Sequence, residues 1–83
     1  MKVLYFAWLK AKTGIGEEAI VPPPGVANVA QLIEHLKTRS PGHAEAFASL
    51  AVVRVAVNQD FAALDAPVKP GDEVAFFPPV TGG

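Results

Sequence analysis

No cysteine occurs in the 83 residues. That absence excludes disulfide stapling, thiolate metal sites and a cysteine nucleophile together, and it is compatible with a reducing compartment. Charge is also scarce: seven Lys and Arg against eight Asp and Glu leave a formal net charge of −1. The basic residues are scattered rather than striped, so binding to nucleic acid through a basic face has little support. No apolar run approaches the roughly 20 residues of a membrane span. The opening, Met1 to Gly14, places one lysine before an apolar stretch, as a signal peptide does. It lacks a small-residue cleavage site, however, and leads straight into a first strand. A soluble chain in the cytoplasm is expected.

What is present is an unusually apolar small chain, 51% hydrophobic. A domain of this length buries only roughly 60–65% of the surface its unfolded chain exposes. Its apolar residues must therefore serve one compact core, with little left for a deep private active site. Lys2 to Leu9, KVLYFAWL, reads as a first strand whose two faces are both apolar, followed by a helical turn from Leu9 to Thr13 that Gly14 and Gly16 end. Glu17 to Val21 reads as a second strand, which Pro22, Pro23 and Pro24 must stop. Val29, Leu32, Ile33 and Leu36 then fall at helical spacing behind Asn28, a good N-cap, with Gln31 completing a capping-box-like pair. Ser40 and Pro41 open a second short helix reaching to about Leu50. Val52 to Val57 is a β-branched third strand, Phe61 to Leu64 a short edge strand, and Glu73 to Phe77 the last strand. Lys69 to Asp72, KPGD, suits a type II turn before it.

This order places the main helix in a crossover between a first hairpin and a returning strand beside the first one. The expected fold class is α+β: a ubiquitin-like β-grasp, with a mixed sheet of four to five strands packed on one main helix. The domain occupies residues 1–77, and residues 78–83 form an extended tail. One helix covers one side of a sheet and leaves the other uncovered. Because the first and last strands are apolar on both faces, large side chains must remain outside. Val3, Tyr5, Val74 and Phe76 are assigned inward, Phe6 and Phe77 outward, with Phe61 nearby. Such a patch fits a protein partner, the alternative being a cover of loops and the short helix.

The chain closes on Pro78-Pro79-Val80-Thr81-Gly82-Gly83. Two prolines hold the base of this tail extended, and glycines without Cβ can thread a channel too narrow for other residues. This suits a protein whose reacting atom is its own terminal carboxylate, activated as an acyl-adenylate and then open to an amine, a thiol or sulfide. A frayed end of small residues is the plainer reading. Two histidines eight residues apart, His35 and His43, lack a third ligand at metal spacing, so surface or structural roles are expected and no metal. Asp72 and Glu73, at a turn and a strand start, are expected to be solvated. Gly14 and Gly16 lack the third glycine and following helix of a dinucleotide loop.

KVLYFA at the start, VNQD at Val57 to Asp60, and above all the ending GDEVAFFPPVTGG together resemble the small, sulfur-carrying subunits of molybdopterin synthases. The order of short segments, helix and tail extends the resemblance along essentially the whole chain, although the middle matches in apolar pattern only. The resemblance implies that an ATP-dependent, ubiquitin-activating-like enzyme adenylates Gly83, and that sulfur from a donor system replaces AMP to leave a thiocarboxylate. Pro78, Pro79, Val80, Thr81 and Gly82 would fill the channel of the large synthase subunit. Sulfur would pass there to cyclic pyranopterin monophosphate, forming the dithiolene of molybdopterin. Phe6, Phe61 and Phe77 would contact the large subunit in a heterotetramer. The chain itself would bind no cofactor, ATP being used by the activating enzyme, and would have no independent activity. Carriers for thiamine synthesis or tRNA thiolation, and ubiquitin-like modifiers, share the fold and the Gly-Gly ending. A non-transferring interaction module is the reading from a different class.

Overall fold

The computed structural model describes residues 1–79. The tail residues Val80, Thr81, Gly82 and Gly83 lie outside the described residues. Five strands, β1 (Lys2–Tyr5), β2 (Glu17–Ala19), β3 (Arg54–Val57), β4 (Asp60–Ala62) and β5 (Glu73–Phe77), form one sheet in the order β2-β1-β5-β3-β4. Among the described residues the helices are α1 (Trp8–Thr13), α2 (Val29–Lys37) and α3 (Pro41–Ala46), and a 3-10 turn covers Leu50–Val52. β1 and β5 pair in parallel at the centre, while the other three pairings are antiparallel. This is the mixed sheet of a ubiquitin-like β-grasp. No helix among the described residues is long and apolar enough to cross a membrane.

The stripe on α2 does what its spacing predicts. Val29, Leu32, Ile33 and Leu36 are all buried, and they meet Val3, Tyr5, Val55, Val74 and Phe76 from the sheet in one core. The Asn28 side chain accepts from the Gln31 N–H at 2.9 Å, capping the helix. Gln31 returns its side-chain oxygen to the Ala27 N–H, one residue before the position a capping box would reach. At the centre of the core, Phe76 packs edge-on to Phe47 with ring centroids 4.9 Å apart and stacks on Tyr5 at 6.2 Å.

The first strand is shorter than its composition suggests. β1 stops at Tyr5, although Phe6 extends the ladder by one bond from its N–H to the Phe76 carbonyl. The chain then turns through Ala7, at φ 55° and ψ −131°, into α1. A strand through Leu9 would have carried that leucine off the end of the sheet; the helix folds it back into the core, where it is fully buried. α1 packs on α3 so closely that a Cβ on Gly42 would stand 2.1 Å from the Lys12 carbonyl oxygen. α3 itself begins behind the Ser40 cap as expected, but ends at Ala46 rather than near Leu50.

The turns follow local chemistry. Asn58 and Gln59 both take positive φ, 51° and 72°, giving a two-residue hairpin between β3 and β4. Gly71, at φ 92°, occupies the left-handed position of the turn before β5, and the Asp72 N–H closes that turn on the Lys69 carbonyl. Asp72 is not solvated. It is buried, with its carboxylate accepting from the Asn58 amide at 3.1 Å and the Lys69 N–H at 2.9 Å. Those two bonds hold its carboxyl below the usual carboxylate range.

Candidate functional site

Alternation along the strands assigns each residue to a face. Val3 lies opposite Glu18 and Val74, and Val55 opposite Phe76, so this set faces the helices. The other parity builds the outer face. Leu4, Ala75, Ala56 and Phe61 form one row across β1, β5, β3 and β4. In the next row Phe77 lies opposite Arg54, and Phe6 follows Tyr5 at the same end of β1. Phe61 is 84% exposed and Phe6 49%, whereas Phe77 is half-buried. The rings of Phe61 and Phe77 lie 5.9 Å apart even though β3 runs between their strands. Ala56, the β3 residue opposite Phe61, has no side chain beyond Cβ to separate them.

Two of the three aromatics singled out in the sequence, Phe61 and Phe77, are thus in contact, and Phe6 stands on the same face at the end of β1. Neither α1 nor α3 covers this face, since both bury their apolar residues in the core on the other side. Phe77 is also the last strand residue before half-buried Pro78 and Pro79. Phe77, in contact with Phe61, therefore stands at the root of the tail. Gly83 and its three predecessors are outside the described residues.

On the inner side a polar cluster occurs that the sequence alone did not disclose. Glu18, facing inward from β2, accepts from the Tyr5 hydroxyl at 2.6 Å and His43 Nε2 at 2.8 Å on one oxygen. Its other oxygen pairs with Arg39 Nε at 2.7 Å. Ser40 Oγ lies 2.7 Å from His43 Nδ1 and also accepts the His43 N–H as the cap of α3. Burial would push the Glu18 carboxyl up, but the bonds from Tyr5 and His43 and the charge of Arg39 outweigh it and hold the carboxyl below its usual range. Burial, and then the bond to Glu18, push the Tyr5 hydroxyl up. His43 thus has a carboxylate partner, from 25 residues away in sequence. The parity of Glu18 with buried Ile20 was the available signal.

Serine, histidine and glutamate in sequence of contact invite comparison with a hydrolytic relay. The geometry does not support one: His43 is buried, Ser40 is engaged as a cap, and no pocket opens beside them among the described residues. The cluster instead ties β1 and β2 to α3. No group of three potential ligands that could hold a metal occurs among the described residues.

The family profile of the ThiS family matches residues 3–83. The chain belongs to the ThiS family. Over its full length it is 40% identical to the molybdopterin synthase sulfur carrier subunit of Haemophilus influenzae, of which it covers 99%. Among solved structures, the putative molybdopterin converting factor subunit 1 of Pyrococcus furiosus is 37% identical and superposes with a TM-score of 0.78, covering 95% of each chain. A chain in the complex of subunits 1 and 2 of the molybdopterin-converting factor of Helicobacter pylori is 26% identical, with a TM-score of 0.64 over 99% of this chain and 96% of that one. For this ThiS-family member, the uncovered aromatic face at the root of the tail is the candidate site.

Proposed function

We propose that this chain is the sulfur-carrier subunit of a molybdopterin synthase, acting in the cytoplasm. Full-length similarity to a protein of that name carries the reading, and the aromatic face at the base of the Pro78-Pro79 tail supports it. The chemistry belongs to Gly83. Its carboxylate attacks the α-phosphorus of ATP on an activating enzyme, releasing pyrophosphate and forming an acyl-adenylate. Hydrosulfide supplied by a donor system then displaces AMP, losing its proton and leaving a thiocarboxylate. Val80, Thr81 and Gly82 pass that group into the large subunit, where its sulfur goes to cyclic pyranopterin monophosphate. Phe6, Phe61 and Phe77 form the contact that holds the carrier there, because two exposed aromatic rings and a half-buried third on one face are stabilised by a partner's apolar surface.

Transfer of sulfur to cyclic pyranopterin monophosphate, measured with the large subunit and the thiolated carrier, tests the reading. Deleting Gly83 abolishes transfer and leaves the melting temperature unchanged, and Phe77→Asp weakens binding to the large subunit far more than it weakens folding. Full transfer by the Gly83 deletion would exclude Gly83 as the carrier. Sulfur delivered instead to a thiazole precursor or a tRNA base, or an acyl bond formed with a lysine, would reassign the chain to one of the other carrier classes.

A further inference from the structure

The outer face carries one feature that aromatic docking does not use. Arg54, exposed on β3, stands directly opposite Phe77 in the ladder. Its Nη1 donates to the carbonyls of Ala51, at 3.2 Å, and Val53, at 3.3 Å. These two bonds fix the guanidinium plane from behind. The Nε–Nη2 edge, which can grip a carboxylate through two parallel bonds, has no partner among the described residues. The far end of the same face differs, because there Lys2 is paired with Glu17 at 3.5 Å. Beside Phe77, no acidic side chain among the described residues pairs with Arg54.

A partner that covers Phe77 must also cover Arg54, its direct cross-strand neighbour. Taking a guanidinium out of water without an opposing charge is strongly unfavourable, whereas a bidentate carboxylate compensates it and fixes the docking register. We propose that Arg54 is a specificity-determining contact of the docking face, and that the partner places an aspartate or glutamate side chain against its Nε–Nη2 edge. This inference rests on the reading of the outer face as the large-subunit contact. Phe6, Phe61 and Phe77 supply apolar area, and Arg54 selects a partner surface that carries an acidic residue beside its apolar centre.

The experiment measures binding of the full chain to the large synthase subunit at low and high salt, for wild type, Arg54→Leu, Arg54→Lys, Arg54→Glu and Phe77→Asp. Arg54→Leu keeps much of the apolar stem and is expected to weaken binding about tenfold or more, with a reduced salt dependence, because a carboxylate on the partner loses its counter-charge. Arg54→Lys is expected to fall between, having charge without the fork, and Arg54→Glu to bind most weakly. Unchanged melting temperatures separate these effects from folding. Arg54→Leu binding as tightly as wild type with the same salt dependence, while Phe77→Asp still weakens binding, would overturn the role of Arg54 and leave the docking face in place. Wild-type affinity in both variants would overturn the docking reading itself, and the Arg54 inference with it.

Discussion

Replacing Glu18 with alanine removes the acceptor shared by three donors. The Tyr5 hydroxyl and His43 Nε2 would lose a bond inside the protein, where water reaches neither readily: Tyr5 is 1% exposed and His43 5%. A buried donor left unsatisfied costs about 1–3 kcal/mol. The Arg39 pair adds little, because its guanidinium is more than a third exposed and can be rehydrated. Two stranded donors, with a small packing loss, give a destabilisation of about 3–5 kcal/mol. A chain of 83 residues has a total stability of about 4–12 kcal/mol, so the loss runs from about a quarter of that stability to nearly all of it. In thermal unfolding followed by circular dichroism this corresponds to a fall in Tm of roughly 15–30 °C. The pH dependence follows with a definite sign. The folded Glu18 carboxyl sits below its ordinary value of 4.5, so its contribution is complete above that value and is lost as pH falls through the lower folded one. The difference in stability between wild type and variant should therefore shrink on acidification. A Tm within a few degrees of wild type at neutral pH, or a gap that widens in acid, would refute the assignment of Glu18 as the hub joining β1 and β2 to α3.

Three further substitutions test other parts of the account. Gly42→Ala pushes a Cβ to 2.1 Å from the Lys12 carbonyl oxygen, a backbone atom that cannot swing away, and denaturant titration should show a loss of about 1–3 kcal/mol. Ala7→Gly relieves a residue held at φ 55° and ψ −131°, and the same titration should show a net gain of about 0.5–2 kcal/mol after the greater freedom of glycine in the unfolded chain is subtracted. Asp72→Asn removes a carboxylate whose folded value is held low by Asn58 and the Lys69 N–H. The variant should be less stable at neutral pH and approach wild type as pH falls below the ordinary aspartate range, measured by chemical unfolding at several pH values.

The parts of the fold that were legible in the sequence are those where local and global preferences agree. The α2 stripe, the Ser40 and Asn28 caps, the KPGD turn and the last strand all stand where spacing and turn chemistry put them. The expected first strand runs too far because Val3 to Leu9 is apolar at every position, so alternation gives no stopping point; the turn at Ala7 has a conformation that alanine does not favour. Parity places Phe6 and Phe77 on the face opposite Tyr5 and Phe76, but with both faces apolar it does not say which one the helix covers; the burial of Val3, Tyr5, Val74 and Phe76 decides that. By contrast, the contact of Phe61 with Phe77 depends on Ala56 in an intervening strand, a relation visible only once register is fixed. The inner cluster was hidden for a similar reason. Glu18, Arg39 and His43 are unremarkable polar residues in the sequence, and only the hairpin register turns Glu18 towards the buried histidine.

The central claim is that the reacting group of this domain is its own terminal carboxylate, presented beyond an aromatic docking face. The most direct measurement is the intact and fragment mass of the chain after incubation with the activating enzyme, ATP and a sulfur source. The account predicts a mass gain equal to replacement of one oxygen by sulfur, located at Gly83 and dependent on ATP. An unchanged mass with the enzyme demonstrably active, or sulfur located on any other residue, would contradict it.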